Sequence, residues 1–136
     1  MSTTVYLSVA LVVLLLLLAF LIWRRRRPRK LDTEHFAKHW RQLQKHCATR
    51  KTWPLAVVAA DNLVDEALKE LRFKGKTAGE RLVAAQHVLS SNERVWFGHK
   101  LRDKVTKEDV RKLKKQDVLQ ALSGFRQALK DLGALK

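Results

Sequence analysis

Nineteen consecutive residues, Val5 to Trp23 (VYLSVALVVLLLLLAFLIW), carry no charge. At about 1.5 Å per residue such a helix is about 28 Å long, close to the hydrocarbon thickness of a bilayer. A helix buried inside a small soluble domain keeps a polar face, and this run has almost none. Tyr6 and Trp23 stand at its two ends, where interfacial aromatics belong. The segment therefore predicts a transmembrane anchor over residues 1–23.

The residues just after the run set its orientation. Arg24, Arg25, Arg26, Arg27, Arg29 and Lys30 surround Pro28 in a basic collar over residues 24–30, whereas residues 1–23 carry no charged side chain. A cleaved signal peptide shows the reverse pattern, with cations before the apolar run and a small-residue cleavage site after it. Six cations on the C-terminal side predict an N-out, C-in span at the plasma membrane, with the rest of the chain in the cytoplasm. The collar first halts translocation. Contact with anionic lipid headgroups is its second expected role.

The remaining residues, 31–136, hold 22 of the 28 Lys and Arg against all 13 Asp and Glu, a charge of +9. A basic domain of this kind attracts phosphate-bearing partners, whether headgroups, RNA or nucleotides. Cys47 is the only cysteine, so no intrachain disulfide exists. It falls on the apolar side of a predicted helix and reads as a small buried hydrophobe.

No stretch after Pro28 alternates apolar and polar residues as a half-buried strand does. A first helix is expected from about Asp32 to Thr49, with Phe36, Trp40, Leu43 and Cys47 on one face. A second opens at TWPLAVV, with Thr52 as N-cap and Pro54 in the first turn. It carries Val57, Ala60, Val64, Ala67, Leu68 and Leu71, and ends where Gly75 and Gly79 interrupt the pattern. TAGE, Thr77 to Glu80, matches a capping box and starts a third helix with Leu82, Ala85, Val88 and Leu89. A fourth is expected from about Glu93 to Val105, followed by a cap-like TKED at Thr106–Asp109. The last spans roughly Gln116 to Leu132, with Gly133 as its C-terminal cap. Short links predict antiparallel neighbours. The fold class is thus all-α: an N-terminal transmembrane helix, then a cytoplasmic up-and-down bundle of four to five helices. Trp40, Val64, Leu101 and Phe125, from four different helices, are expected to meet in one cluster.

Several constellations invite a chemical reading. His35 and His39 are four apart, with His46 two turns on, a spacing that suits a metal. The intervening residues lack a zincin glutamate, and Lys38 and Arg41 oppose a cation, so solvated or interface histidines are the preferred reading. Asp61 and Asp65 are also four apart, beside Glu66. Paired catalytic carboxylates are one reading, and a polar edge that pairs with Lys and Arg of neighbouring helices is the preferred one. There is no Gly-rich phosphate loop, nucleophile elbow or Cys/His cluster. No cofactor and no metal are therefore assigned.

GHKLRDKVTKED, Gly98 to Asp109, resembles the motif region of the HEPN superfamily of all-helical nucleotide- and RNA-associated domains. Active members of that family carry an arginine, often followed by Asn, Asp or His, and then a histidine after four to six intervening residues. Arg102 and Asp103 match the first two positions. The histidine would fall at 107, 108 or 109, which hold Lys107, Glu108 and Asp109. The whole chain from Val5 to Leu135 also resembles small single-span membrane proteins of bacteria with reduced genomes, through its W-P-L-A, G-K-T-A-G-E-R-L and H-K-L-R stretches.

The resemblance implies a helical domain that binds RNA or a nucleotide, pairs through its motif helix as a homodimer, or engages a protein partner the sequence does not identify. Arg102, Asp103 and Lys107 are the candidate binding residues. Metal-free RNA cleavage needs a base for the 2′-hydroxyl and a cation for the phosphorane. Arginine supplies the cation, but lysine, with an ordinary pKa of about 10.4, does not replace the histidine base near neutrality. His99, three residues before Arg102, is the one substitute, so His99 and Arg102 are the weak catalytic candidates. The preferred expectation is a non-catalytic binding or scaffold module, with Arg102 and Asp103 in ion pairs at a helix end and His99 packed beside Trp96.

Overall fold

A computed structural model describes residues 2–26, 30–107 and 112–136, with Arg26 described by its backbone. The Arg26 side chain, Arg27 and Arg29 of the collar, and Glu108 and Asp109 of the motif region, lie outside the described residues. Among those that are described there is no strand. Six α-helices run in chain order: α1 (Thr3–Arg26), α2 (Thr33–Gln44), α3 (Trp53–Glu70), α4 (Ala78–Ala84), α5 (Asn92–Lys107) and α6 (Lys115–Asp131).

From Thr3 to Arg25, α1 is long and apolar enough to cross a membrane, and none of it is buried within the protein. The core is built from the other five helices. α3 lies at the centre and contacts α2, α4, α5 and α6. Its buried face carries Val57, Ala60, Leu63, Val64, Ala67 and Leu68. Trp40, Val64, Leu101 and Phe125 do belong to one buried cluster. Phe36 and Phe125 are fully enclosed, and burying a ring of that size contributes about 1.5–3 kcal/mol.

Side-chain contacts fix two antiparallel pairs. His35 at the start of α2 meets Glu66 near the end of α3, while the chain entering α3 bonds back to the end of α2 through Thr52 and His46. In the second pair, Ser90 just before α5 donates to Asp131 at the end of α6 from both its backbone N–H and its hydroxyl, at 2.8 and 2.7 Å. Burial pushes the Asp131 carboxyl up, but the Ser90 donors outweigh it and hold the group below its ordinary value. Midway, Gly98 lets α5 approach α6: a Cβ there would stand 2.6 Å from Phe125 Cζ. Gly124 does the same against the Arg94 carbonyl.

Several expected boundaries shift. The helix expected over 32–49 ends at Gln44, and two short 3₁₀ turns, Lys45–Ala48 and Arg50–Thr52, lead into α3. Thr49 between them is extended. Thr52 does precede α3, but its hydroxyl donates backward to the carbonyls of His46 and Thr49 instead of capping the helix. Cys47, in the first of these turns, is half-buried against the core, and burial pushes its thiol up.

The end of α3 is also not made by glycine. Leu71 closes it, Arg72 takes the left-handed conformation (φ 62°), and Phe73 N–H bonds to the Leu68 carbonyl at 3.0 Å. That is the hydrogen-bond pattern of a Schellman cap, with an arginine where glycine is usual. At the end of α6, Gly133 (φ 79°) fills the corresponding position as expected, and Ala134 N–H bonds to the Leu129 carbonyl.

The Thr77 hydroxyl caps α4 by accepting from Glu80 N–H, while Glu80 reaches back to Lys76 N–H. This third soluble helix is shorter than expected. Tight turns after Ala84 leave Leu89 buried but rotate Val88 outward. Thr106 lies inside the last turn of α5, where its hydroxyl donates to the Asp103 carbonyl, so it opens no new helix.

Candidate functional site

A carboxylate on the inward face of a helix must be paired, because an unpaired buried charge costs several kcal/mol. Asp61 is such a group. It sits between Ala60 and Leu63 on the buried stripe of α3 and is 2 % exposed. α5 supplies both partners from one face: His99 Nδ1 lies 2.9 Å from Asp61 Oδ1, and Arg102 Nη1 donates to Oδ2 at 2.7 Å. Three residues along a helix return to nearly the same face, so both side chains converge on one carboxylate.

His99 also stands edge-on to Trp96, with ring centroids 5.7 Å apart. The absent Cβ of Gly79 would lie 3.7 Å from both His99 Nε2 and the Trp96 ring. A side chain there would make only ordinary van der Waals contact, so the start of α4 lies over the pair without needing a glycine. The hydrogen bond to Asp61 raises the His99 pKa above its usual value. Burial opposes the shift, and the nearby charges of Asp61 and Asp103 reinforce it. With Nδ1 held by Asp61, the imidazole is oriented and its charged form favoured.

Asp103 and Lys107 do not join this site. Both are exposed. Arg102 does form an ion pair, with Asp61, but inside α5 and not at its end, while Asp103 makes no ion pair among the described residues. The contact between His99 and Trp96 is as expected.

The carboxylates at 61 and 65 do not form a pair. Asp65 turns to α4, where Arg81 grips it with two bonds, Nε to Oδ1 at 2.6 Å and Nη2 to Oδ2 at 2.9 Å. Arg81 also donates to the Gly75 carbonyl at 2.8 Å, which ties the loop before α4 to the helix. Burial pushes the Asp65 carboxyl up, but Arg81 outweighs it and holds the group below its ordinary value. Glu66 takes His35, at 2.7 Å. His39 Nδ1 meets the His35 carbonyl instead of sharing a ligand position with it.

The preferred reading of Asp61 and Asp65, pairing with arginines of neighbouring helices, is what the structure shows; sequence reasoning missed that Asp61 is buried and takes His99 as well, and that Arg81 is the buried partner of Asp65. The signal for Asp61 was present: a lone carboxylate between Val57, Ala60 and Val64 on an apolar stripe. Comparison with protein-family models, with curated proteins and with solved structures finds no match to the chain.

Proposed function

We propose that the chain is a single-pass membrane protein, N-terminus outside, whose helical domain works in the cytoplasm at the inner membrane face as a non-catalytic binding or scaffold module. The observation that carries this reading is α1, an apolar helix of membrane-spanning length with no side chain buried by the rest of the protein. Its apolar surface needs a hydrocarbon environment, and the one-sided charge of Arg24 to Lys30 gives the orientation. The domain beyond the collar is basic, which suits a partner bearing negative charge.

The test is extraction and protease access. The full chain is expected to stay in membranes washed with alkaline carbonate. Its C-terminal domain is expected to be cleaved in inverted vesicles and protected in right-side-out ones. Release by carbonate removes the anchor, and the opposite protection pattern reverses the orientation.

A second reading, a membrane-tethered HEPN-like ribonuclease, is favoured by the convergence of His99 and Arg102 on Asp61. The same geometry weakens it. Asp61 neutralises the cation that would stabilise a phosphorane, and it favours the imidazolium, which is no base. The full chain in detergent is expected to leave single-stranded RNA intact without added metal. Cleavage lost in both His99→Ala and Arg102→Ala would overturn the non-catalytic reading.

A further inference from the structure

Between α2 and the segment that follows α6 lies a cleft of about 700 Å³, within the size range of small-molecule sites. Its wall is rich in donors and poor in acceptors. Lys38 and Arg41 from α2, Arg126 from α6, and Lys136 line it, against a single carboxylate side chain, Glu34. None of the four cations has an ion-pair partner among the described residues. That is unlike the buried arginine of this domain, Arg81, which is held by a carboxylate.

Trp40 forms part of the same wall. It is 7 % exposed, and its indole N–H is buried with no acceptor. A cleft with four unpaired cations and an apolar ring is complementary to an anion with several acceptor oxygens.

The cleft is also joined to the end of α1 by a short stretch of chain. The first turn of α2, at Thr33 and Glu34, lines it and begins seven positions after Arg26. Even fully extended, seven residues span at most about 25 Å.

We propose that this cleft binds a phosphate-bearing anion, gripped by Lys38, Arg41 and Arg126 against the face of Trp40. Arginine forks match phosphate oxygens two at a time, which a diffuse basic surface does not. The phosphate belongs either to a lipid headgroup or to a free anion. The lipid source rests on the membrane reading above, whereas the phosphate chemistry stands without it.

The experiment uses the full chain in phosphatidylcholine nanodiscs and follows the indole N–H resonances. The four tryptophans give four signals, and the one missing in Trp40→Phe identifies Trp40. Titration with inorganic phosphate is one arm. Nanodiscs containing phosphatidic acid, without added phosphate, are the other. The Trp40 signal is expected to shift saturably in at least one arm. Arg41→Gln combined with Arg126→Gln is expected to weaken that response at least tenfold, and Lys74→Gln with Lys76→Gln, away from the cleft, to leave it within about twofold, a split that diffuse charge does not produce. A response to phosphatidic acid alone assigns the lipid, and a response to phosphate assigns a free anion. No saturable shift in either arm, or equal loss in both double variants, overturns the proposal. A chain that titrates without inserting keeps the cleft and loses the membrane. One that inserts without titrating does the reverse.

Discussion

Arg102 of α5 donates from Nη1 to Oδ2 of Asp61 on α3, 41 positions earlier, at 2.7 Å. The acceptor is almost fully buried, and the donor is partly open to solvent. Removing either partner therefore has unequal effects. Asp61→Ala leaves His99 and Arg102 facing each other without a counter-charge and is expected to cost about 3–5 kcal/mol. Arg102→Ala leaves Asp61 with His99 and is expected to cost less, about 1.5–3 kcal/mol. Urea unfolding of the full chain in detergent measures both. Equal losses would mean that Asp61 is not the hub.

The same contact makes stability depend on pH. The Asp61 hydrogen bond raises the His99 pKa in the folded state. The folded protein thus holds a proton on His99 that the unfolded chain, with an ordinary value of about 6.5, gives up. This stabilisation is fully present below about pH 6.5 and is lost as pH rises through the raised folded value. Asp65 and Asp131 act on the other side. Their folded values are lowered, by Arg81 and by Ser90, so their contribution is present above about pH 4 and fades in acid. Unfolding curves from acid to alkaline pH are expected to fall at both ends. His99→Gln is expected to flatten only the alkaline side, and a flattened acid side would misassign the group.

Gly98 and Gly124 separate two kinds of close approach. Alanine favours helices over glycine by about 0.5–1 kcal/mol, yet each substitution is expected to destabilise by about 1–3 kcal/mol. At Gly98 the obstacle is the Phe125 ring, and Phe125→Leu is expected to recover part of the loss. At Gly124 it is the Arg94 backbone, with the carbonyl oxygen 2.7 Å from the added Cβ, and no side-chain change relieves it. Thermal melts of the single and double variants check the difference. Recovery of Gly124→Ala by Phe125→Leu would contradict this packing.

Arg72 is the position where a substitution is expected to help. It holds φ 62° in the cap of α3, and its side chain is exposed. A left-handed conformation costs a residue with a Cβ about 1–2 kcal/mol, and glycine escapes this at the expense of a more flexible unfolded chain. Arg72→Gly is expected to stabilise by up to about 1 kcal/mol in the same unfolding measurement. A loss would indicate that the arginine side chain contributes more than its backbone costs.

The helical cores were legible in the sequence because period and burial coincide there. α6 carries an apolar stripe and α3 one broken only by Asp61, and the four residues expected to cluster do so. The segment from Lys45 to Thr52 was not legible, since its turns depend on carbonyls outside any periodic pattern. Thr52 turns back to His46, and Trp53 Nε1 donates to the Cys47 carbonyl at 3.1 Å. The carboxylates were half legible. Residues four apart on a helix differ by about 40° in direction, enough here for Asp61 to meet α5 and Asp65 to meet α4. Which neighbour each one finds is a property of the packed domain, and spacing along α3 does not encode it.

α6 follows α3 and α5 along the chain and packs on both. Until it is made, the inner faces of those two helices have no complete cover. A chain emerging from the ribosome would therefore carry an open apolar groove between α3 and α5 until α6 follows. Phe125, Ala128 and Leu129, which seal that groove, are made only after both of its walls. Closure then waits on α6, and a chain cut short before it would leave an unsealed surface that marks the fragment for chaperones and proteases.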